Sequence, residues 1–208
     1  MARPTRPLSA NQRRWLYRYR KMRVAAVVVL AAGALAAVDR AGLFGFAPPP
    51  DTETYHDRAF DVVKVVDGDT FDIAAPDGKR DRPTTRVRLW GVDTPETVMP
   101  DAPPQHFGPE ASAFARQTLL GAKVTLKIDR RRGKQRDKYN RLLAYAYLPD
   151  GRMFNELLVA EGYGYADPRF PHLHSRDFAR RQAQARRAGK GLWAELTPSD
   201  VPKYLRGD

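Results

Sequence analysis

Two short runs of this chain bring carboxylates together with an arginine. Val65-Val66-Asp67-Gly68-Asp69-Thr70 is the first; the second is Arg88-Leu89-Trp90-Gly91-Val92-Asp93-Thr94-Pro95-Glu96. Each is an apolar, strand-like stretch that breaks at a turn and delivers acids there. Oxygen ligands grouped at strand ends suit a hard divalent cation such as Ca²⁺ or Mg²⁺. An arginine beside them offers a planar fork to phosphate oxygens. Residues of these types in this grouping point to metal-assisted cleavage of a phosphodiester.

Roles follow from chemistry and position. Asp69 and Asp93 are the best direct metal ligands, with a backbone carbonyl near Thr94 as a neutral oxygen ligand. Asp67 is placed to orient a ligand or a bound water. Glu96 can reach a water, as general base or to position it for in-line attack. Arg88 meets the phosphate where charge grows in the transition state. A second arginine, Arg141, starts an apolar strand after the tight turn in Asp137-Lys138-Tyr139-Asn140-Arg141. Asn140 suits that turn because asparagine tolerates the left-handed conformation. Tyr139 either stacks on a base or packs on the protein. Each acidic run alone also reads as an ordinary turn, since Asp-Gly is a favoured turn pair and Pro95 fixes the other. Two turns, however, would not need three carboxylates converging with an arginine between them.

The elements that must hold these residues are legible as periodicities. Residues 60–66, 70–74, 85–90, 123–128 and 141–148 read as five strands, being rich in β-branched residues or alternating. Pro109-Glu110 opens a helix that runs to Gly121; Phe154 to Glu161 and the very basic Ser175 to Ala188 read as two more. Residues 97–108, with Pro100, Pro103, Pro104 and Gly108, read as a loop. The expected fold is α+β and mainly β: a five-stranded barrel of the oligonucleotide-binding type capped by about three helices, preceded by an N-terminal apolar signal or anchor helix.

Composition narrows the class. Cysteine is absent, which excludes a disulfide framework, a thiolate metal site and a cysteine nucleophile. The net charge of +12 divides unevenly, with nine basic residues and one acid in residues 1–40. That leaves +8 there and only +4 on the remainder, so the high pI is weak evidence for a nucleic-acid partner. Residues 24–38 are uncharged and mostly apolar, after a basic stretch without acids. This pattern fits a secretory signal or a short signal anchor, with the basic end in the cytoplasm and the remainder outside. The expected organisation is a basic cytoplasmic segment at 1–23, a signal anchor or signal peptide at 24–46, and a proline-stiffened linker at 47–58. A catalytic domain at 59–196 and a tail at 197–208 follow. His172 and His174 stand two apart beside a proline, which is poor zinc spacing. Arg130-Arg131-Arg132 and the arginines of the last helix read as solvated faces that attract phosphates without specificity.

The chain resembles the staphylococcal nuclease family. The resemblance rests on Val66-Asp67-Gly68-Asp69-Thr70, Arg88 with Val92-Asp93-Thr94-Pro95-Glu96, Phe107 to Phe114, Asp137 to Arg141, Leu143-Ala144-Tyr145 and Asn155 to Val159. It covers roughly residues 60–195. It implies a Ca²⁺-dependent endonuclease acting on DNA and RNA, largely without sequence preference, and leaving 3′-phosphates; other divalent cations are an alternative. By resemblance Asp69, Asp93 and the Thr94 carbonyl would hold Ca²⁺, Arg88 and Arg141 the phosphate, and Glu96 the water. Lys138, Tyr139 and Phe170 would meet the substrate. Two departures stand out. Asn140 replaces the usual glycine, and Pro168-Arg169-Phe170 occupies the region of an expected tyrosine pair, leaving Phe170 as the stacking candidate. The competing expectation is a catalytically weak nucleic-acid-binding module at the membrane. Membrane contact is expected through the N-terminal segment alone, the domain being extracytoplasmic, and no protein partner is inferred.

Overall fold

The computed structural model describes residues 9–40, 49–97, 103–131, 133–197 and 200–206. They fall into two units, Met1–Pro48 and Pro49–Asp208. In the first, one helix, α1 (Ala10–Arg40), takes in the arginines from Arg13 onward and the uncharged run. Its apolar side chains from Val27 to Leu30 are exposed. Among the described residues no helix is long and apolar enough to cross a membrane. The expected anchor at 24–46 is therefore not established by the fold. Charged residues up to Arg23 and the Asp39-Arg40 pair bound its uncharged run, and residues 41–46, expected to extend it, lie outside the described residues, as do Pro48 and Arg132.

The second unit opens with a short helix, α2 (Asp51–Tyr55), and then builds a closed barrel. Its strands are β1 (Arg58–Asp67), β2 (Thr70–Ile73), β3 (Thr85–Leu89), β5 (Lys123–Lys127) and β6 (Leu142–Tyr147), in the order β1-β2-β3-β6-β5. All pairings are antiparallel except β3 with β6, which is parallel. The five expected strands thus form the five-stranded barrel, and closure leaves no edge. Alternation decides which side chains fill it. On β3, Thr85, Val87 and Leu89 are buried, while Arg86 and Arg88 point to the other face and are half-buried. Phe71, Ile73, Val87, Leu126 and Leu142 are fully buried in the core; truncating such a residue to alanine typically costs about 2–5 kcal/mol.

Three helices cover the barrel. Helix α3 (Gly108–Leu119) starts with proline in its first turn and buries Ala111, Ala115 and Leu119 at four-residue spacing. Helix α4 (Phe154–Ala160) buries Phe154 and Leu158. Helix α5 (Ser175–Arg187) buries only Phe178 and Ala185, leaving its arginines outward. Sequence reading missed a two-stranded sheet, in which β4 (Val92–Asp93) pairs with β7 (Tyr165–Ala166). Two-residue strands carry no periodicity to detect.

Buried Asn155 locks β3, β6 and α4 together. Its Nδ2 donates to the Trp90 carbonyl at 3.0 Å and the Ala144 carbonyl at 3.3 Å, and its Oδ1 accepts from the Ala146 N–H at 2.9 Å. One side chain thereby satisfies backbone groups where the Gly91–Thr94 segment leaves the barrel.

Candidate active site

The site forms where β2, β3 and β6 end side by side. Register places Thr70 opposite Arg88, and Arg88 opposite Leu143, so the acidic turn after β1 and the arginine of β3 are neighbours. Gly68 lets the second acidic run approach. A Cβ there would lie 2.7–2.9 Å from the Thr94 side chain, closer than any methyl could sit.

Asp69 and Asp93 meet across Arg88. Asp69 Oδ2 accepts from the Thr94 N–H at 3.0 Å and the Thr94 hydroxyl at 3.1 Å, and Oδ1 accepts from the Thr70 hydroxyl at 2.9 Å. Arg88 Nη1 is in close ionic contact with Asp69 Oδ2. Arg88 Nη2 donates to Asp93 Oδ1 at 2.8 Å. Burial alone would lower the guanidinium pKa, but Asp69, Asp93, Glu96 and Asp167 outweigh it and hold it above the ordinary arginine range.

Asp67 sits apart from this pair. Its Oδ1 accepts from the Thr97 hydroxyl at 2.9 Å and from the Gly68 N–H at 2.8 Å. It pins the segment that carries Glu96. The Glu96 carboxyl is pushed up to about 7, first by desolvation, then by the charge of Asp69 and by Asp67. The residue keeps an exposed side, where water screens part of that effect.

Arg141 is set by its own turn. Asn140 has φ of 62°, the left-handed geometry expected of it. Asp137 accepts from the Arg141 N–H at 2.8 Å and from its Nε at 2.6 Å, which aims the guanidinium back toward Thr70 Oγ1 at 3.4 Å. A buried ion cluster braces the same turn. Arg136 donates to Asp51 through Nη2 and Nε at 2.8 and 2.9 Å, to Asp77 at 2.8 Å and to the Asn140 carbonyl at 3.1 Å.

Arg88, Asp93, Glu96, Lys138, Tyr139, Arg141 and Phe170 line one cavity of about 270 Å³. Asp69 and Thr94 join it through Arg88 and Asp93, while Asp67 lies behind. Tyr139 is 62% exposed, with the Lys138 ammonium 4.9 Å and the Arg141 guanidinium 5.4 Å from its ring centre. It is free to meet a ligand and is not packed on the barrel. Phe170 packs against Trp90 with centroids 5.8 Å apart, forming an aromatic wall. Trp90, Asp167 and Arg169 also line the cavity and were missed from sequence. Arg169 lay within the Pro168-Arg169-Phe170 run, and its arginine-aromatic pairing was the available signal.

Among the described residues no cluster of three acidic or imidazole side chains capable of holding a metal occurs. What the described residues bring together is the Asp69 and Asp93 carboxylates, oxygen groups of the kind that suits Ca²⁺ or Mg²⁺. That Asp69 and Asp93 already share one cation, the Arg88 guanidinium, fits a centre built to hold positive charge.

His172 is buried and bonded through Nδ1 to the Tyr145 hydroxyl at 3.1 Å. Its ring fills the space over Gly91 that a Cβ would claim. It supports the strand end and, through Ser175, the start of α5.

Known proteins of similar sequence include nucleases. Residues 86–195 match the family model of the staphylococcal nuclease homologues. The chain is 38% identical over 142 residues to a thermonuclease of Staphylococcus hyicus, covering 67% of this chain and 78% of that protein. It is 47% identical over 105 residues to a thermonuclease of Staphylococcus intermedius, covering 50% and 57%. An uncharacterized endonuclease of Escherichia coli is 30% identical over 169 residues, covering 78% and 92%.

Proposed function

The chain belongs to the staphylococcal nuclease family, and from that premise we propose a Ca²⁺-dependent endonuclease that hydrolyses DNA and RNA by in-line attack of water, leaving 3′-phosphates. That it is a nuclease, a hydrolase of phosphodiester bonds, follows from the family match and from the thermonuclease and endonuclease relatives. The finer reading rests on one observation: two arginines, a carboxylate of the cation pair and Glu96 face a single cavity.

A divalent cation on Asp69, Asp93 and the Thr94 carbonyl would supply charge to the phosphate and acidify a bound water. The other work falls to the chain's own groups. Arg88 and Arg141 offer donors to the oxygens on which charge grows, and Asp137 and Asp93 fix their orientation. Glu96 faces the same cavity, where its carboxylate can take a proton from water. Lys138 offers a phosphate contact, and Tyr139 and Phe170 present rings on which any base can stack, which suits a substrate read without sequence preference. For the N-terminal segment the reading is export, with residues 24–46 kept as an anchor or removed; its support is the block of arginines before the uncharged run.

The test is to incubate the full-length protein with single-stranded DNA and Ca²⁺, with and without a chelator. Cleavage that chelation abolishes is the expected result. Binding without cleavage in Ca²⁺ would instead make the chain a module that only holds nucleic acid.

A further inference from the structure

The family match ends at residue 195, yet the chain returns to the site after it. A short 3-10 turn, Lys203–Leu205, sets Tyr204 against Asp93. The Tyr204 hydroxyl donates to Asp93 Oδ2 at 2.7 Å. Arg169 Nη2 donates to the same oxygen at 3.0 Å. The Arg169 guanidinium also stacks over the Tyr204 ring, 3.9 Å from its centre. Arg169 is itself fixed by Asp167, through Nε at 2.8 Å and Nη2 at 2.9 Å. A guanidinium stacked and bidentate in this way has little freedom to swing into the cavity as a phosphate ligand.

The two oxygens of Asp93 are therefore unequal. A carboxylate oxygen accepts about two hydrogen bonds. Among the described residues Oδ2 has both, from Tyr204 and Arg169, whereas Oδ1 accepts one, from Arg88. We propose that Tyr204 and Arg169 are positioning residues of the cation centre: by filling Oδ2 they fix the Asp93 carboxylate and leave Oδ1 to the cation shared with Asp69. This rests on Asp69 and Asp93 being that centre. It gives the C-terminal tail a part in metal affinity, beyond the residues that match the family model.

Calorimetric titration of Ca²⁺ into the full-length protein and its Tyr204→Phe variant, without nucleic acid, tests the assignment. Phenylalanine keeps the ring beneath Arg169 and removes only the hydroxyl. Loss of a partner that orients a metal ligand typically weakens binding at least tenfold, and about tenfold is expected here. The Ca²⁺ needed for half-maximal cleavage should rise by the same factor, with the lost rate regained at saturating Ca²⁺. Equal affinity in the two proteins overturns the proposal. Tighter binding by Tyr204→Phe overturns it too, because Tyr204 would then compete with the cation. Arg169→Lys keeps the charge and gives up the planar fork held by Asp167, so it must shift affinity in the same direction, and it decides the matter if Tyr204→Phe does not fold. A parent protein that takes up no Ca²⁺ sinks the cation centre itself, a failure distinct from unaltered binding in the variants.

Discussion

The side-chain amide of Asn155 donates to the backbone carbonyl of Trp90 at 3.0 Å, joining the first turn of α4 to the end of β3. The same amide group also serves Ala144 and Ala146. Asn155→Ala would take this partner from the Trp90 carbonyl and the Ala146 N–H in a dry interior, while the Ala144 carbonyl keeps the Trp90 N–H. The expected loss is about 3 kcal/mol of stability. Urea denaturation measures it, and a change below about 1 kcal/mol would show that the three bonds are replaceable.

Glu96→Gln keeps the size of the side chain and removes its basicity. Cleavage should fall by about 100-fold or more at unchanged folding and unchanged Ca²⁺ affinity. Arg88→Ala removes the donor pair joined to Asp69 and Asp93; a further loss of about 100- to 1000-fold in turnover is expected. Single-turnover kinetics on one oligonucleotide check both, and a Glu96→Gln enzyme of full activity would remove that residue from the chemistry.

Arg136 holds the turn of Arg141 from behind, being bonded at once to Asp51, Asp77 and the Asn140 carbonyl. Its side chain is only 8% exposed. Arg136→Met removes the cation that joins Asp51 to Asp77, leaving Asp51 to the Lys79 ammonium and Asp77 to the Lys79 N–H, and should cost about 3 kcal/mol. It should also weaken substrate binding, because Arg141 and Tyr139 lose their brace. The two effects are read by thermal unfolding and by KM, and stability lost with KM unchanged would confine Arg136 to the fold.

His172 makes stability depend on pH. Burial, then the neighbouring His174, lowers it to about 4, against an ordinary 6.5. Asp129 and Asp167 oppose that shift, and Arg131 adds to it. Between pH 6.5 and 4 the unfolded chain therefore binds a proton that the folded one refuses. The His172 contribution is complete above 6.5 and fades as pH falls to about 4, by roughly 3 kcal/mol in all. Glu96, whose raised value makes the folded state bind its proton first, acts oppositely and more weakly because it is exposed. The measurement is therefore the difference between the parent and His172→Gln, in chelator, at pH 7 and pH 4. That difference should move by about 3 kcal/mol in favour of the variant at low pH; a constant difference would place a charged His172 in the fold.

The sequence by itself determined what is written in short-range patterns. Alternation at residues 85–89 placed Val87 and Leu89 inside and Arg88 on the other face, and the turn at Asn140 carried its left-handed residue openly. The five strands, the helices beside them and the positions of Arg88, Asp93, Glu96 and Arg141 were legible for that reason, each lying on a local period or turn signal, whereas Lys138 and Phe170 came only from the family resemblance. The tertiary structure decided what depends on contacts between distant residues. Nothing near Tyr204 announces that it reaches Asp93, nor near Asp51 that it pairs with Arg136, because those partners are separated by 111 and 85 positions. It also decided that Asp69 and Asp93 meet on one guanidinium while Asp67, two residues from Asp69, serves Thr97. Successive strand positions face opposite ways and turns redirect them, so only closure of the barrel fixes which carboxylates converge.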